Sequence, residues 1–169
     1  ETMLEGLEDG GESIAEMGFD RRLMVNGHGG NGPITALVAG DLGVSLRGVE
    51  VAELTYFDLA GDAAPDIRTG DPGSAYHAGE FETALMLYLH EELVDLEAAV
   101  DDPVTPLSEY SPRDMFEGGP LGTRQTYDRL SEDGARGEPT LATAEAGRQL
   151  FEAICTELAA VLSAVEALG

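Results

Sequence analysis

Residues 21–57 constrain the fold more than any other stretch of the chain. Leu23-Met24-Val25 is a short apolar run fit for a buried strand, and the next seven residues, Asn26 to Gly32, hold four glycines around His28. Pro33 then stands where a first helical turn tolerates a residue without an amide hydrogen. Ile34, Leu37, Val38 and Leu42 continue at helical spacing to Gly43. Glu50 to Phe57 has the β-branched and aromatic content of a second strand. Strand, glycine loop, helix, strand is a βαβ unit, so the two strands are expected to be parallel and joined by a right-handed crossover. The fold class predicted is therefore α/β with a mostly parallel sheet. Ligands in such sheets bind beyond the carboxyl ends of the strands, which here lead into loops rich in Gly, Asp and His.

The rest of the chain reads as helices joined by loops. Residues 3–18 form an amphipathic pattern stopped by Gly18. A long helix is expected from about Glu80 to Ala99, with Leu85, Leu89, Leu93 and Leu96 on its buried side, and a last one from about Thr143 to Leu168, buried along Leu150, Ile154, Leu158, Val161, Val165 and Leu168. Between these two, residues 101–140 hold five of the eight prolines, and so long a loop in a compact domain is expected to be functional or to cover a site. With 169 residues the chain can bury one sizeable core, so residues 1–169 are expected to form one domain. A helical pattern that starts at the first residues, with no strand before it, suggests that the domain lacks its N-terminal part. No apolar run is long enough for a membrane helix and no basic-then-apolar leader is visible, which suggests the cytoplasm. Cys155, the single cysteine, lies on the apolar stripe of the last helix and is expected to be a small buried hydrophobe.

Charge narrows the partners. Thirty-three acidic residues stand against nine basic ones, a formal net charge of −24, and every basic residue is arginine. Such a surface repels nucleic acid phosphates and anionic lipid. The acids are spread along periodic apolar segments, so they describe a solvated folded surface and not an acidic tail. Self-repulsion of this size is screened by concentrated salt, which points to a salt-adapted source.

Two segments carry residue types with chemistry. In Asn26-Gly27-His28-Gly29-Gly30-Asn31 an imidazole stands at a strand end among glycines, a setting for a metal ligand, although a lone histidine in a turn is more often structural. Asn26 and Asn31 suit turn and helix-cap duties. In His77-Ala78-Gly79-Glu80-Phe81-Glu82-Thr83 an imidazole precedes two carboxylates in a first helical turn, where the helix dipole alone favours acids. Two imidazoles and two carboxylates in loops at one sheet edge make a plausible metal-hydrolase set. His90 lies within the second helix pattern and reads as a solvated or packing residue. Gly27 to Gly32 also satisfies G-x-G-x-x-G after a strand, so a Rossmann-like nucleotide-binding module, with Asp58 as the ribose acid, is a competing reading.

Taken together with Gly134-Ala135-Arg136-Gly137-Glu138-Pro139-Thr140-Leu141-Ala142-Thr143-Ala144-Glu145-Ala146-Gly147-Arg148, these segments resemble the creatininase family in order and approximate spacing. The resemblance implies a three-layer α/β/α sandwich, homo-oligomers, and two divalent metals (Zn, Mn or Fe) activating water against a C–N bond of a small cyclic or linear amide. By matching position, His28 and Glu82 would be metal ligands and His77 the catalytic acid/base. Asn26, Gly29, Gly30, Asn31 and Glu80 would support the site or meet substrate. Family members take further ligands, a Glu-x-His pair and an Asp, from upstream of the first segment, and this chain shows none. Creatininase itself has a Glu ligand at the place of Gly30, and a Trp and an Asp at the places of Gly73 and Ser74, so creatinine is not the implied substrate. An inactive binding or assembly remnant is the third reading.

The charge makes a direct prediction. The melting temperature should rise between low and multimolar salt, and thermal melts across that range check it; a flat response would count against salt adaptation.

Overall fold

A computed structural model describes residues 1–168 of the chain. They form two compact units, residues 1–59 with 156–168, and Ala60–Cys155.

The first unit contains the expected βαβ element. β1 (Arg21–Asn26) pairs parallel with β2 (Glu50–Thr55), in register from Arg21 opposite Glu50 to Asn26 opposite Thr55. Helix α2 (Gly32–Ser45) connects them, with Pro33 in its first turn, and buries Thr35, Val38, Ala39 and Leu42. Helix α1 (Thr2–Glu16) meets α2 at Gly11, where a Cβ would lie 2.3 Å from Leu42 Cδ1. Gly18 follows α1 at φ 93°, in the left-handed region expected of a helix-stopping glycine. The chain is thus α/β with a parallel sheet, as the spacing predicts.

Two details of the strands differ from expectation. β1 is not a buried strand: Val25 is 49% exposed and Leu23 and Met24 are only half-buried, while Arg22 and Asn26 are the covered positions. β2 ends at Thr55, and Tyr56–Ala60 coils into a tight 3-10 turn that carries the exposed Asp58.

In the second unit, the one-turn helix α3 (Ala64–Ile67) comes first, and helix α4 (Glu80–His90) is half the length its apolar spacing suggests. The chain leaves the helix at His90, with φ −152° and ψ 61°, and makes one 3-10 turn over Glu91–Leu93. Glu91 and Glu92 thus follow directly on the negative end of the helix dipole, an unfavourable place for acids, rather than lying inside a longer helix. Asp95 instead caps a turn, accepting from the amides of Glu97 and Ala98. Leu89, Leu93 and Leu96 are consequently exposed, and the buried residues of α4 are Glu80, Phe81, Ala84 and Leu87. His90 is solvated, 3.2 Å from the Glu92 carboxylate.

Helix α6 (Ala144–Glu166) crosses α4 at Gly147, where a Cβ would sit 1.9 Å from the Ala84 carbonyl oxygen. Leu150 and Ile154 follow Gly147 on the buried stripe, and their burial excludes Cys155, which lies one residue around the helix and is exposed. Leu158, Val161 and Val165 continue the stripe half-buried, and Leu168 is 44% exposed. Among the described residues no helix is long and apolar enough to cross a membrane.

Two glycines should respond oppositely to alanine. Gly147→Ala forces α4 and α6 apart and should destabilise by about 1–3 kcal/mol, overriding its gain in helix propensity. Gly40→Ala in α2 has nothing within 4 Å of the new Cβ and should stabilise by up to about 1 kcal/mol. Denaturant melts of the two variants check both signs.

Candidate active-site residues

In the first unit, the loop after β1 is shaped by Asn26. Its buried side-chain amide donates to the His28 carbonyl at 2.8 Å and to Thr55 Oγ1 on β2 at 3.0 Å, and its Oδ1 accepts from the His28 amide at 3.1 Å. The His28 backbone is therefore held on both sides, while its ring is exposed. The ring lies over Gly30: a Cβ there would come within 2.8 Å of His28 Nε2, so this glycine gives the imidazole its place. Gly29 faces Phe57, with only 3.3 Å between a Cβ and the ring. Asn31 starts α2 without a side-chain cap bond, against expectation; its backbone amide donates to the His28 carbonyl at 2.9 Å. Its φ of −87° and ψ of −16° are helical, not the extended conformation from which a capping side chain reaches back.

In the second unit, the His77 segment is built around one strained residue. Ala78 has φ 48°, a left-handed conformation that costs a residue with a Cβ roughly 1–2 kcal/mol. Two side chains from the first turn of α4 hold it. Glu82 Oε2 accepts from the Ala78 amide at 2.6 Å, and the Thr83 hydroxyl donates to the Ala78 carbonyl at 3.2 Å. Strain retained by such bracing is a mark of functional segments. It sets His77, whose exposed ring meets Tyr127 edge-on with centroids 5.2 Å apart. Tyr127 lies in a one-turn helix, α5 (Tyr127–Leu130), within the proline-rich loop. Burial pushes the Tyr127 phenol above its ordinary range, the Arg136 cation pulls it back, and Tyr76 and Glu82 push it further up.

Glu80 has a different task. It is 1% exposed, and its carboxylate accepts from the amides of Thr69 at 2.6 Å and Gly70 at 3.1 Å and from the Ser74 hydroxyl at 2.8 Å. It braces the loop before His77 and has no oxygen left for a ligand. In that loop Gly73 has φ 115°, and a Cβ there would lie 2.7 Å from the Val104 carbonyl, so a tryptophan could not occupy this backbone.

The tail segment is bound to the same place, which motif reading did not foresee. The Arg136 amide donates to the His77 carbonyl at 2.7 Å and the Glu138 amide to the Ser74 carbonyl at 2.9 Å. Gly137 and Asp102 exchange both backbone bonds, at 2.7 and 2.8 Å. A Cβ on Gly137 would lie 2.3 Å from the Ser74 carbonyl oxygen, so only glycine allows this approach. Sequence reading missed Tyr127 and Arg136; the glycine flanking Arg136 was the available signal.

His28 and Glu82 are donor types that suit a divalent ion, and they lie in different units. Among the described residues no group of three His, Cys, Asp or Glu side chains is placed to hold one.

The chain as a whole is similar to known proteins. The creatininase profile, described as creatinine amidohydrolase, matches residues 1–162, and the chain belongs to that family. It is 34% identical over 131 residues to the mycofactocin precursor peptide peptidase of Mycolicibacterium smegmatis, covering 78% of this chain and 44% of that protein. It is 30% identical over 134 residues to the creatinine amidohydrolase of Pseudomonas putida, covering 72% and 49%. A solved mutant creatininase of the Zn-Zn type superposes with a TM-score of 0.73 at 27% identity, over 95% of this chain and 62% of that one. The chain spans about half the length of the curated relatives it matches.

The second unit predicts a pH response. Burial first, then the carboxylates of Asp101, Glu80 and Asp71, hold Glu138 above its usual range. A raised folded-state pKa means the folded chain binds this proton more tightly, so Glu138 contributes stability at acid pH that is lost as pH rises through the raised value. Glu138→Gln should flatten that part of the profile in denaturant melts from acid to neutral pH; an unchanged slope would refute it.

Proposed function

We propose that the chain is part of a metal-dependent amidohydrolase that cleaves a C–N bond of a cyclic or linear amide, with His77 as acid/base and His28 and Glu82 as metal ligands. The braced left-handed turn at Ala78 carries this reading. It fixes the backbone next to His77 by two bonds from a helix and leaves the ring accessible. The family profile over residues 1–162 supports treating both units as parts of one creatininase-type domain. Solved creatininases of Zn-Zn and Mn type support a divalent cofactor, two ions in the complete site, with iron a further candidate.

When bound, a divalent ion supplies Lewis-acid polarisation of the carbonyl and acidifies water. His77 takes up a proton and delivers it to the leaving nitrogen, with its ring steered by Tyr127 and its backbone by Arg136. Asn26 orients the His28 loop, Gly29 and Gly30 leave room for the imidazole, Asn31 closes the turn through its amide, and Glu80 braces the approach to His77. Glu82 has its Oε2 on the Ala78 amide, and ligation by the other oxygen would leave that brace intact. The substrate is a small amide or peptide, the net charge of −24 disfavours nucleic acid and anionic membrane, and the complete protein is a cytoplasmic homo-oligomer from a salt-adapted source.

The test compares this 169-residue chain with the full-length protein. Calorimetric titration with Zn²⁺ and Mn²⁺ should give weak binding to the chain alone and tight binding to the full protein. There, His28→Ala should reduce metal content, and His77→Ala should lower kcat by about 10²–10⁴ with metal content unchanged. Tight binding to the 169-residue chain, abolished by His28→Ala, would show that its own residues suffice. Stoichiometric nucleotide binding without metal would favour the Rossmann-like reading, and neither activity the inactive remnant.

A further inference from the structure

Arg136 is the residue of the tail segment that the proposed chemistry uses only through its backbone. In a chain with 33 acids and nine arginines, partners for a guanidinium are abundant, and three of the six arginines of the second unit have them: Arg68 pairs with Asp114, Arg113 with Glu117, and Arg148 with Glu145 and Glu152. Arg136 forms no ion pair among the described residues. Arg124 and Arg129 also lack one, but they are exposed and water solvates them. Arg136 is half-buried, and its Nε is covered with no hydrogen-bond partner among the described residues. Its half-buried guanidinium thus keeps a cation without a carboxylate partner among the described residues, and the strong contact open to its terminal nitrogens is a forked, charge-assisted pair with an arriving anion.

Its position says where that anion would sit. The Arg136 amide is bonded to the His77 carbonyl at 2.7 Å, and Tyr127, which touches the His77 ring, lies within the field of the Arg136 cation. The backbone around it is fixed by Gly137, whose approach to Ser74 leaves no room to shift. We propose that Arg136, with Tyr127 beside it, is an anion subsite next to His77 that receives a carboxylate of the substrate, so that the amide cleaved by this protein carries a negative charge close to the scissile bond. The inference rests on the acid/base assignment of His77 for its functional meaning, but binding of the anion does not.

The local cation also answers a physical difficulty. A surface of net charge −24 repels an anionic substrate, and a guanidinium that forks two parallel bonds to a carboxylate offsets that repulsion at the one place where it matters.

N-acetylglycine and N-acetylglycinamide differ only in carboxylate against carboxamide, and both carry an amide bond. Binding of each to the protein is followed by titration, with the His77 ring protons as the NMR reporter, alongside hydrolysis of each by the metal-loaded full-length protein. The expected result is a preference for N-acetylglycine of about ten-fold or more, as for one charge-assisted bidentate pair. Arg136→Gln should erase that preference, Arg136→Lys should keep part of it, and Arg129→Gln, on the exposed turn nearby, should leave it unchanged. No preference in the unmodified protein, or a preference that survives Arg136→Gln, overturns the subsite. If Arg136→Gln does not fold, a ratio undiminished in Arg136→Lys overturns it, because an ammonium cannot reproduce the forked pairing. A charge preference with hydrolysis of neither probe leaves the subsite standing and counts against the hydrolase reading. His77-dependent hydrolysis with no charge preference does the reverse.

Discussion

The Ser74 carbonyl oxygen is the point on which the second unit turns. It accepts the amide of Glu80, which starts α4, and the amide of Glu138, which brings the proline-rich loop back. Gly79 and Gly137 are the residues that make this double acceptance sterically possible, since a Cβ on either would fall within 2.4 Å of that oxygen. Through it, the direction of α4, the height of His77 and the position of Arg136 are set together. A substitution there would disturb all three at once, which is why the glycines of two distant segments act as one feature.

Charge is handled differently inside and outside. Buried carboxylates are fully answered: Glu80 by two amides and a hydroxyl, and Asp114, 2% exposed, by Arg68 and the amides of Gly73, Phe116 and Glu117. An unanswered buried charge would cost several kcal/mol, so these acids organise loops and are not reservoirs of reactivity. The surface acids are left to solvent and salt. On α6 the exposed Glu145 carboxyl, held down to about 2 by its bonds to Arg148 and Gln149, is local helix decoration of small energetic weight.

Strain at Ala78 and freedom at His77 belong together. The proposed acid/base needs to be placed without being enclosed, and fixing the next residue does this. Glu82 and Thr83 hold the Ala78 peptide from both ends, so the His77 ring inherits a direction from a backbone that cannot relax. Tyr127 adds a lateral contact from a segment far away in sequence.

How much of this was legible follows from the range of each interaction. The parallel βαβ unit, α1, the start of α4 and α6 were readable because period, glycine stops and Pro33 act within a few residues. The family was readable from the segments around His28, His77 and Arg136 because motif order and spacing survive in sequence. The early end of α4 was not: apolar spacing continues through Leu96, yet Leu89, Leu93 and Leu96 find no covering segment and are left exposed. The exposure of Cys155 and Val25, the full engagement of Glu80, and the meeting of Arg136 with His77 depend on which surfaces other segments cover. Burial and long-range backbone pairing are properties of the folded arrangement, so sequence determined the local elements and the chemical inventory, and tertiary structure decided which of those groups were braced, covered or left free.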